Sequence, residues 1–285
     1  MRIDAHISLW NQPPASARKH PRFPGDNRAF LPEHIEPILS RNRFDGAIVF
    51  TSGDEQDEVA RLAAWCDTSP ALRGIAARWP EDDPAATSVD GSGALPAHLA
   101  APHAAGTLRG VWLPMDSSWL SAAARCCQQQ GLALDLFPVA EGLPIDALLA
   151  LAEAYPQVPV VLSHAAAPPL ASQKLTQWME NLRQLAAKPN VHFKCSALWS
   201  SGLDAWNIAT LQSLFAFVFD AFGERRTLFG SDWPYSLPEH AWKESLARFT
   251  QAMGPRQMEF REEILGNTAA RVYGLRPPVL AGTGN

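Results

Sequence analysis

The chain predicts an α/β fold, a single (β/α)8 TIM barrel, on three observations. Eight short apolar runs of strand length alternate with longer segments of helical period. The runs are nearly continuous in apolar residues, which suits parallel strands covered by helices on both faces. The first run enters Asn11-Gln12-Pro13-Pro14 and a long irregular loop, with no G-x-G-x-x-G phosphate turn of the kind an open doubly wound sheet often carries there.

The strands are expected at Ile3–Trp10, Asp45–Thr51, Leu72–Trp79, Leu108–Pro114, Leu132–Phe137, Val158–His164, Val191–Leu198 and Thr227–Asp232. Between them, Leu31–Arg43 opens with Pro32, which suits a first helical turn. Asp54–Asp67 spaces Val59, Leu62, Ala63 and Cys66 along one helix face. Ser117–Gln130 ends at Gly131, a C-terminal cap. Ile145–Tyr155, Gln173–Ala187, Ala205–Phe222 (before Gly223) and Pro238–Met253 complete the helices, and Glu81–Gly106 is expected to be short or irregular. Arg261–Leu275 reads as a terminal helix. The barrel domain is expected over residues 1–275, with 276–285 as a tail.

The 285 residues are 47 % apolar and 19 % charged, enough for a large core and unlike a disordered, collagenous or disulfide-stapled chain. A net charge of -5 without a basic run argues against nucleic acid or an anionic membrane as partner. Cys66, Cys126, Cys127 and Cys195 form no C-x-x-C pair and read as free thiols of a reducing compartment. Without an apolar leader or a bilayer-length run, the expectation is a soluble cytoplasmic protein.

Barrels of this kind build their sites at the C-terminal ends of the strands. His6 and Ser8 share one face of the first strand, His164 ends the sixth and Asp232 ends the eighth. His192, Lys194 and Ser196 share a face of the seventh. Two imidazoles and a carboxylate suit general acid–base work or a metal centre. A serine nucleophile finds no support, since Gly230-Ser231-Asp232 lacks the second glycine of an elbow. Cys195 is expected on the helix side if Lys194 points inward.

The residues that resemble a known family are Ile3-Asp4-Ala5-His6 with Trp10, Leu31-Pro32-Glu33-His34-Ile35, Phe44-Asp45-Gly46, Arg109-Gly110-Val111 and Leu162-Ser163-His164-Ala165. Asn190 to Ser196, Phe229-Gly230-Ser231-Asp232-Trp233-Pro234 and Gly266 to Leu275 continue the match in order. The chain resembles the amidohydrolase-related family, in its branch of small lactonases acting on 2-pyrone-4,6-dicarboxylate or fuconolactone. The departures are specific. The usual His-x-His of the first strand is His6-Ile7-Ser8, and serine is a poor transition-metal ligand. Trp112-Leu113 stands where relatives often show Arg-His, and the binuclear ligand set is missing.

The resemblance implies hydrolysis of a small lactone of sugar-acid or dicarboxylate type. Asp232 would be general base, with His6 and His164 polarising the carbonyl. Ser8, Lys194, Arg22, Trp112 and Trp233 are the expected substrate contacts, with Lys194 equally able to form an internal ion pair with Asp135 or Asp232. No cofactor is expected; the alternative is a single Zn or Mn on His6, His164 and Asp232. The expected partner is a small anionic or sugar-derived lactone, and the sequence leaves open whether the chain forms a homo-oligomer. The competing functions are a catalytically impaired binding relative and a metal-dependent hydrolase or decarboxylase.

Overall fold

A computed structural model describes residues 1–19, 27–53, 57–81, 94–139, 142–169, 172–197, 207–235 and 241–277. The expectations at Arg22, the start of the helix at 54–56 and that at Pro238 lie outside them.

The strands are β1 Ile3–Ile7, β2 Gly46–Phe50, β3 Leu72–Arg78, β4 Leu108–Pro114, β5 Ala133–Phe137, β6 Val160–Leu162, β7 Val191–Cys195 and β8 Thr227–Phe229. They form one eight-stranded sheet in sequence order, and each neighbouring pair is parallel. The helices are α1 Ala15–Lys19, α2 Pro32–Arg41, α3 Glu58–Thr68, α4 Ala97–Ala104, α5 Leu120–Gln130, α6 Ile145–Ala154, α7 Ser172–Ala186, α8 Ile208–Phe222, α9 Ala241–Ala252, α10 Pro255–Glu259 and α11 Thr268–Val272. Among the described residues, no helix is long and apolar enough to cross a membrane.

Alternation along the strands sorts side chains into two cores. Val49, Val111, Leu134, Leu162, Phe193 and Phe229 face the helices. Ile48, Phe50, Ala76, Ala133, Val161 and Leu228 face the barrel interior. Ala269, Val272 and Tyr273 enter that inner core from the C-terminal segment.

Most of the expected strands come out shorter at their ends, the sixth as Val160–Leu162 and the eighth as Thr227–Phe229, and three differences from expectation bear on how the chain closes. The first strand stops at Ile7, and Trp10 instead exchanges two backbone hydrogen bonds with Phe30, at 2.9 and 2.8 Å. The seventh strand stops at Cys195, where Ala197 turns left-handed at φ 54°. The terminal helix is broken at Gly266, whose backbone is non-helical, and a β-carbon there would lie 2.2 Å from the Met1 carbonyl oxygen. Only glycine lets the terminal segment lie this close to the start of the chain.

Candidate active site

The site begins with an irregularity in β1. Asp4 pairs with Ala47 and Ile7 with Val49, so β1 spends one residue more than β2 over this stretch. The extra residue changes which face the strand presents. Ile3 and Ala5 pack into the interior core, Ile7 into the outer one, and His6 turns into the mouth of the barrel.

The turn after β6 carries His164. Residues His164, Ala165, Ala166 and Ala167 all have left-handed φ, from 44° to 52°. Each such residue costs about 1–2 kcal/mol when it bears a β-carbon. Two internal hydrogen bonds hold the turn, from the Ala166 N–H to the Ser163 carbonyl and from the Ala167 N–H to the His164 carbonyl. Outside it, Ser196 Oγ accepts from the His164 N–H at 3.1 Å, and Trp178 Nε1–H donates to the Ala166 carbonyl at 2.9 Å. Alanine is the smallest residue with a β-carbon, so the run Ala165-Ala166-Ala167 bulks the crowded turn least among non-glycine residues.

Asp232 lies on the extension of β8 that meets β1. The Asp232 N–H donates to the His6 carbonyl at 3.0 Å, and the Ser8 N–H to the Trp233 carbonyl at 2.7 Å. Asp232 itself is left-handed at φ 60°. Two residues before it, a β-carbon on Gly230 would sit 2.8 Å from His6 Cβ and 3.0 Å from Ser196 Cβ. This glycine lets the extension pass between the two neighbouring strands without displacing His6.

Three distant segments thus meet. Asp232 Oδ1 lies 3.6 Å from His6 Nε2 and 3.5 Å from His164 Nε2. The imidazole centroids are 4.9 Å apart. His6 and Asp232 are buried, and His164 is partly open. His6 stacks on Phe50 at 4.0 Å with 7° between the planes. Burial, then the neighbouring His164 and Lys194, holds the His6 imidazole well below its ordinary pKa, so it is neutral at pH 7. A cavity of about 390 Å³ opens over the three, walled by Phe50, Trp112, Phe137 and Tyr235. Ser8, Thr51 and Ser52 add hydroxyls to the wall.

The donor set fits one divalent ion. One ligand atom from each of His6, His164 and Asp232 lies within 4.8 Å of the others, and His164 Nε2 is buried with no hydrogen-bond partner. Two imidazoles and a carboxylate match the chemistry of zinc.

His6, His164, Asp232, Ser8 and Trp112 therefore share one cavity. Two expectations are corrected. Lys194 does not face it: its Nζ is fully buried 2.5 Å from Asp135 Oδ1, the internal ion pair. Trp233 turns away, edge-on to Phe30 at 5.1 Å and 89°, because β8's extension alternates and Asp232 takes the inward position. Arg22 lies outside the described residues. Cys195 faces the helices, as alternation requires, and His192 Nδ1 bonds the Asn190 carbonyl oxygen. Sequence reasoning missed Phe50, Phe137 and Tyr235. The first two end β2 and β5, where a rule about strand ends finds them; Tyr235 sits on a loop with no such signal.

The model of the family described as Amidohydrolase, Amidohydro_2, matches residues 3–275. An L-fucono-1,5-lactonase of Burkholderia ambifaria is 30 % identical, with 97 % of each chain covered. Among solved structures, an amidohydrolase of Burkholderia multivorans with bound zinc aligns with a TM-score of 0.73 and 23 % identity, over 97 % of this chain and 100 % of that one. A probable 2-pyrone-4,6-dicarboxylic acid hydrolase of Acinetobacter baumannii, with citric acid bound, gives 0.69 and 15 %, over 96 % and 99 %. With a match across almost its whole length and barrel neighbours of the same extent, this chain belongs to the amidohydrolase family.

Proposed function

We propose that the protein hydrolyses a neutral sugar-acid lactone, of the kind named for its Burkholderia ambifaria relative. The observation that carries the reading is the convergence of Asp232, His6 and His164 beneath a cavity whose described lining includes no lysine or arginine. A dicarboxylate ring would need cationic partners there. Aromatic walls and hydroxyl-bearing side chains suit a polyhydroxylated ring, which presents apolar C–H faces and polar edges. The expectation of an anionic or sugar-derived lactone is therefore narrowed to the sugar lactone.

In this reading Asp232 takes the proton from the water that attacks the ester carbonyl. His6, held neutral by burial, and His164 each donate a ring N–H to the carbonyl oxygen as charge develops on it. The proton then passes to the ring oxygen as the C–O bond breaks, opening the lactone to a hydroxy acid. Where a divalent ion is bound instead, His6, His164 and Asp232 would hold it, and it would supply Lewis acidity toward the ester carbonyl in place of the two N–H donors. Phe50 fixes the His6 ring plane, and the aromatic walls limit water to the reacting position. The four free thiols fit a cytoplasmic setting.

The test is turnover of a panel of sugar 1,4- and 1,5-lactones beside 2-pyrone-4,6-dicarboxylate, followed by acid release. The sugar lactones are expected to exceed the dicarboxylate by at least about 100-fold in kcat/KM, about 2.7 kcal/mol. A preference for the dicarboxylate, or no lactone turnover with or without added zinc, overturns the reading.

A further inference from the structure

We infer that Asp4 is a positioning residue for the site, a carboxylate that clamps the two segments carrying His6 and Asp232 to one point. The inference rests on the lactonase reading for its kinetic arm only. Asp4 is fully buried yet forms no ion pair among the described residues. Its hydrogen bonds replace one. Oδ1 accepts from the backbone N–H of His6 at 3.2 Å and from the N–H of Ser231 at 2.9 Å. Oδ2 accepts from Trp242 Nε1–H at 2.7 Å.

The identity of the donors gives these bonds their meaning. One N–H belongs to His6 itself, and the other precedes Asp232. A single oxygen atom therefore fixes both backbones on either side of the seam where β8 meets β1. The second oxygen ties them to α9 through Trp242, which packs edge-on to Phe44 at 5.0 Å. The seam needs such a clamp. Regular strand pairing from β8 ends at Phe229, and β1 carries its extra residue at this place. Backbone pairing alone leaves the Ser231 N–H without a strand partner, and Asp4 supplies the acceptor. An apolar residue of similar size would fill the volume with no charge to bury. What it would lose is the fixed distance between His6 and Asp232.

A misplacement of about 1 Å in such a constellation costs about 100-fold in rate. Asp4→Ala is expected to lower kcat about 100-fold with KM within about threefold, because the cavity wall is untouched. Its crystal structure should show the His6 Nε2 to Asp232 Oδ1 separation of 3.6 Å altered. Asp4→Asn keeps an oxygen for the two N–H groups but turns an amide N–H₂ toward the Trp242 N–H, two donors face to face. It should lose about tenfold, and adding Trp242→Phe, which removes the opposing donor, should recover most of that loss. A rescue of this kind is not expected if Asp4 only fills space.

A folded Asp4→Ala protein with unchanged kcat and an unchanged 3.6 Å separation overturns the inference. If Asp4→Ala does not fold, the Asn and Asn/Phe pair decides: no recovery, with unaltered site geometry, overturns it. If the native protein opens no lactone, the functional reading fails, and the crystallographic comparison of the same variants still decides the role of Asp4.

Discussion

Two layers of the barrel, one above the other, hold the same kinds of group in opposite states. In the lower layer Asp135 receives Lys194 Nζ at 2.5 Å, the Tyr273 hydroxyl at 3.0 Å and Ser163 Oγ at 3.1 Å. All four residues come from different segments, and Asp135, Lys194 and Ser163 are essentially unexposed. Burial lowers the lysine's pKa while Asp135 opposes the shift, and burial beside that carboxylate holds the tyrosine well above its ordinary range. In the upper layer Asp232 meets two imidazoles at 3.5 and 3.6 Å, and among the described residues the buried His6 Nδ1 and His164 Nε2 have no hydrogen-bond partner. A satisfied network rigidifies; an under-satisfied one holds capacity for a ligand. The layers touch through Phe50, which carries Lys194 Nζ 4.2 Å from its ring centroid and stacks on His6.

Strain follows the same division. Of the seven left-handed non-glycine residues described, six, His164 to Ala167, Ala197 and Asp232, lie at the end of β6, β7 or β8, and the seventh, Arg43, follows α2. Residues in sparsely populated backbone regions persist where the surroundings over-determine them, and they gather at functional sites.

The contrast is broken most directly at its charged members. Asp232→Asn is expected to lower kcat by about 1000-fold or more while thermal stability holds within about 1 kcal/mol; paired kinetics and melts check it. Lys194→Met should do the reverse to the protein. It strands a buried carboxylate and destabilises the fold by about 3–5 kcal/mol in urea unfolding. Lys194→Met with Asp135→Leu should regain most of that loss, since a pair of apolar residues can replace a buried ion pair.

A smaller effect concerns pH. Burial pushes His192 down to about 4, against 6.5 when unfolded. Its folded pKa is depressed, so its contribution to stability is complete above about 6.5 and falls as pH drops through about 4, by about 3 kcal/mol in total. Burial raises Asp4 to about 6, so the folded state protonates first there and gains stability as pH falls from about 6 to its unfolded value. The two oppose each other. His192→Gln should remove the first and leave the protein more acid-resistant than native in pH-dependent unfolding. The least effect is expected from Ala167→Gly. Relief at φ 44° offsets the extra freedom of the unfolded chain, and stability should change by about 0.5 kcal/mol or less.

The eight runs and their order were legible because a parallel barrel imposes near-continuous apolar strands. His6, His164 and Asp232 were legible because active groups of a barrel gather at strand ends. Two expected substrate contacts lie outside the cavity lining. Lys194 stands on the correct face but lies one layer too deep, a depth set by its pairing with Asp135 on β5. Trp233 follows an inward residue and so faces out.

By itself the sequence determined the periodicities, the cap chemistry of Gly131 and the chemical types available at the strand ends, since each depends on residues near in the chain. The tertiary structure alone decided the face His6 takes, through the extra residue between Asp4 and Ile7. It also decided which carboxylate meets which cation, and the closure of β8 onto β1 through Asp4 and Ser231. These rest on contacts between segments far apart in the chain, Asp4 with Ala47, Lys194 with Asp135 at a separation of 59 and Asp4 with Ser231 at 227, and no local rule of spacing carries information that far.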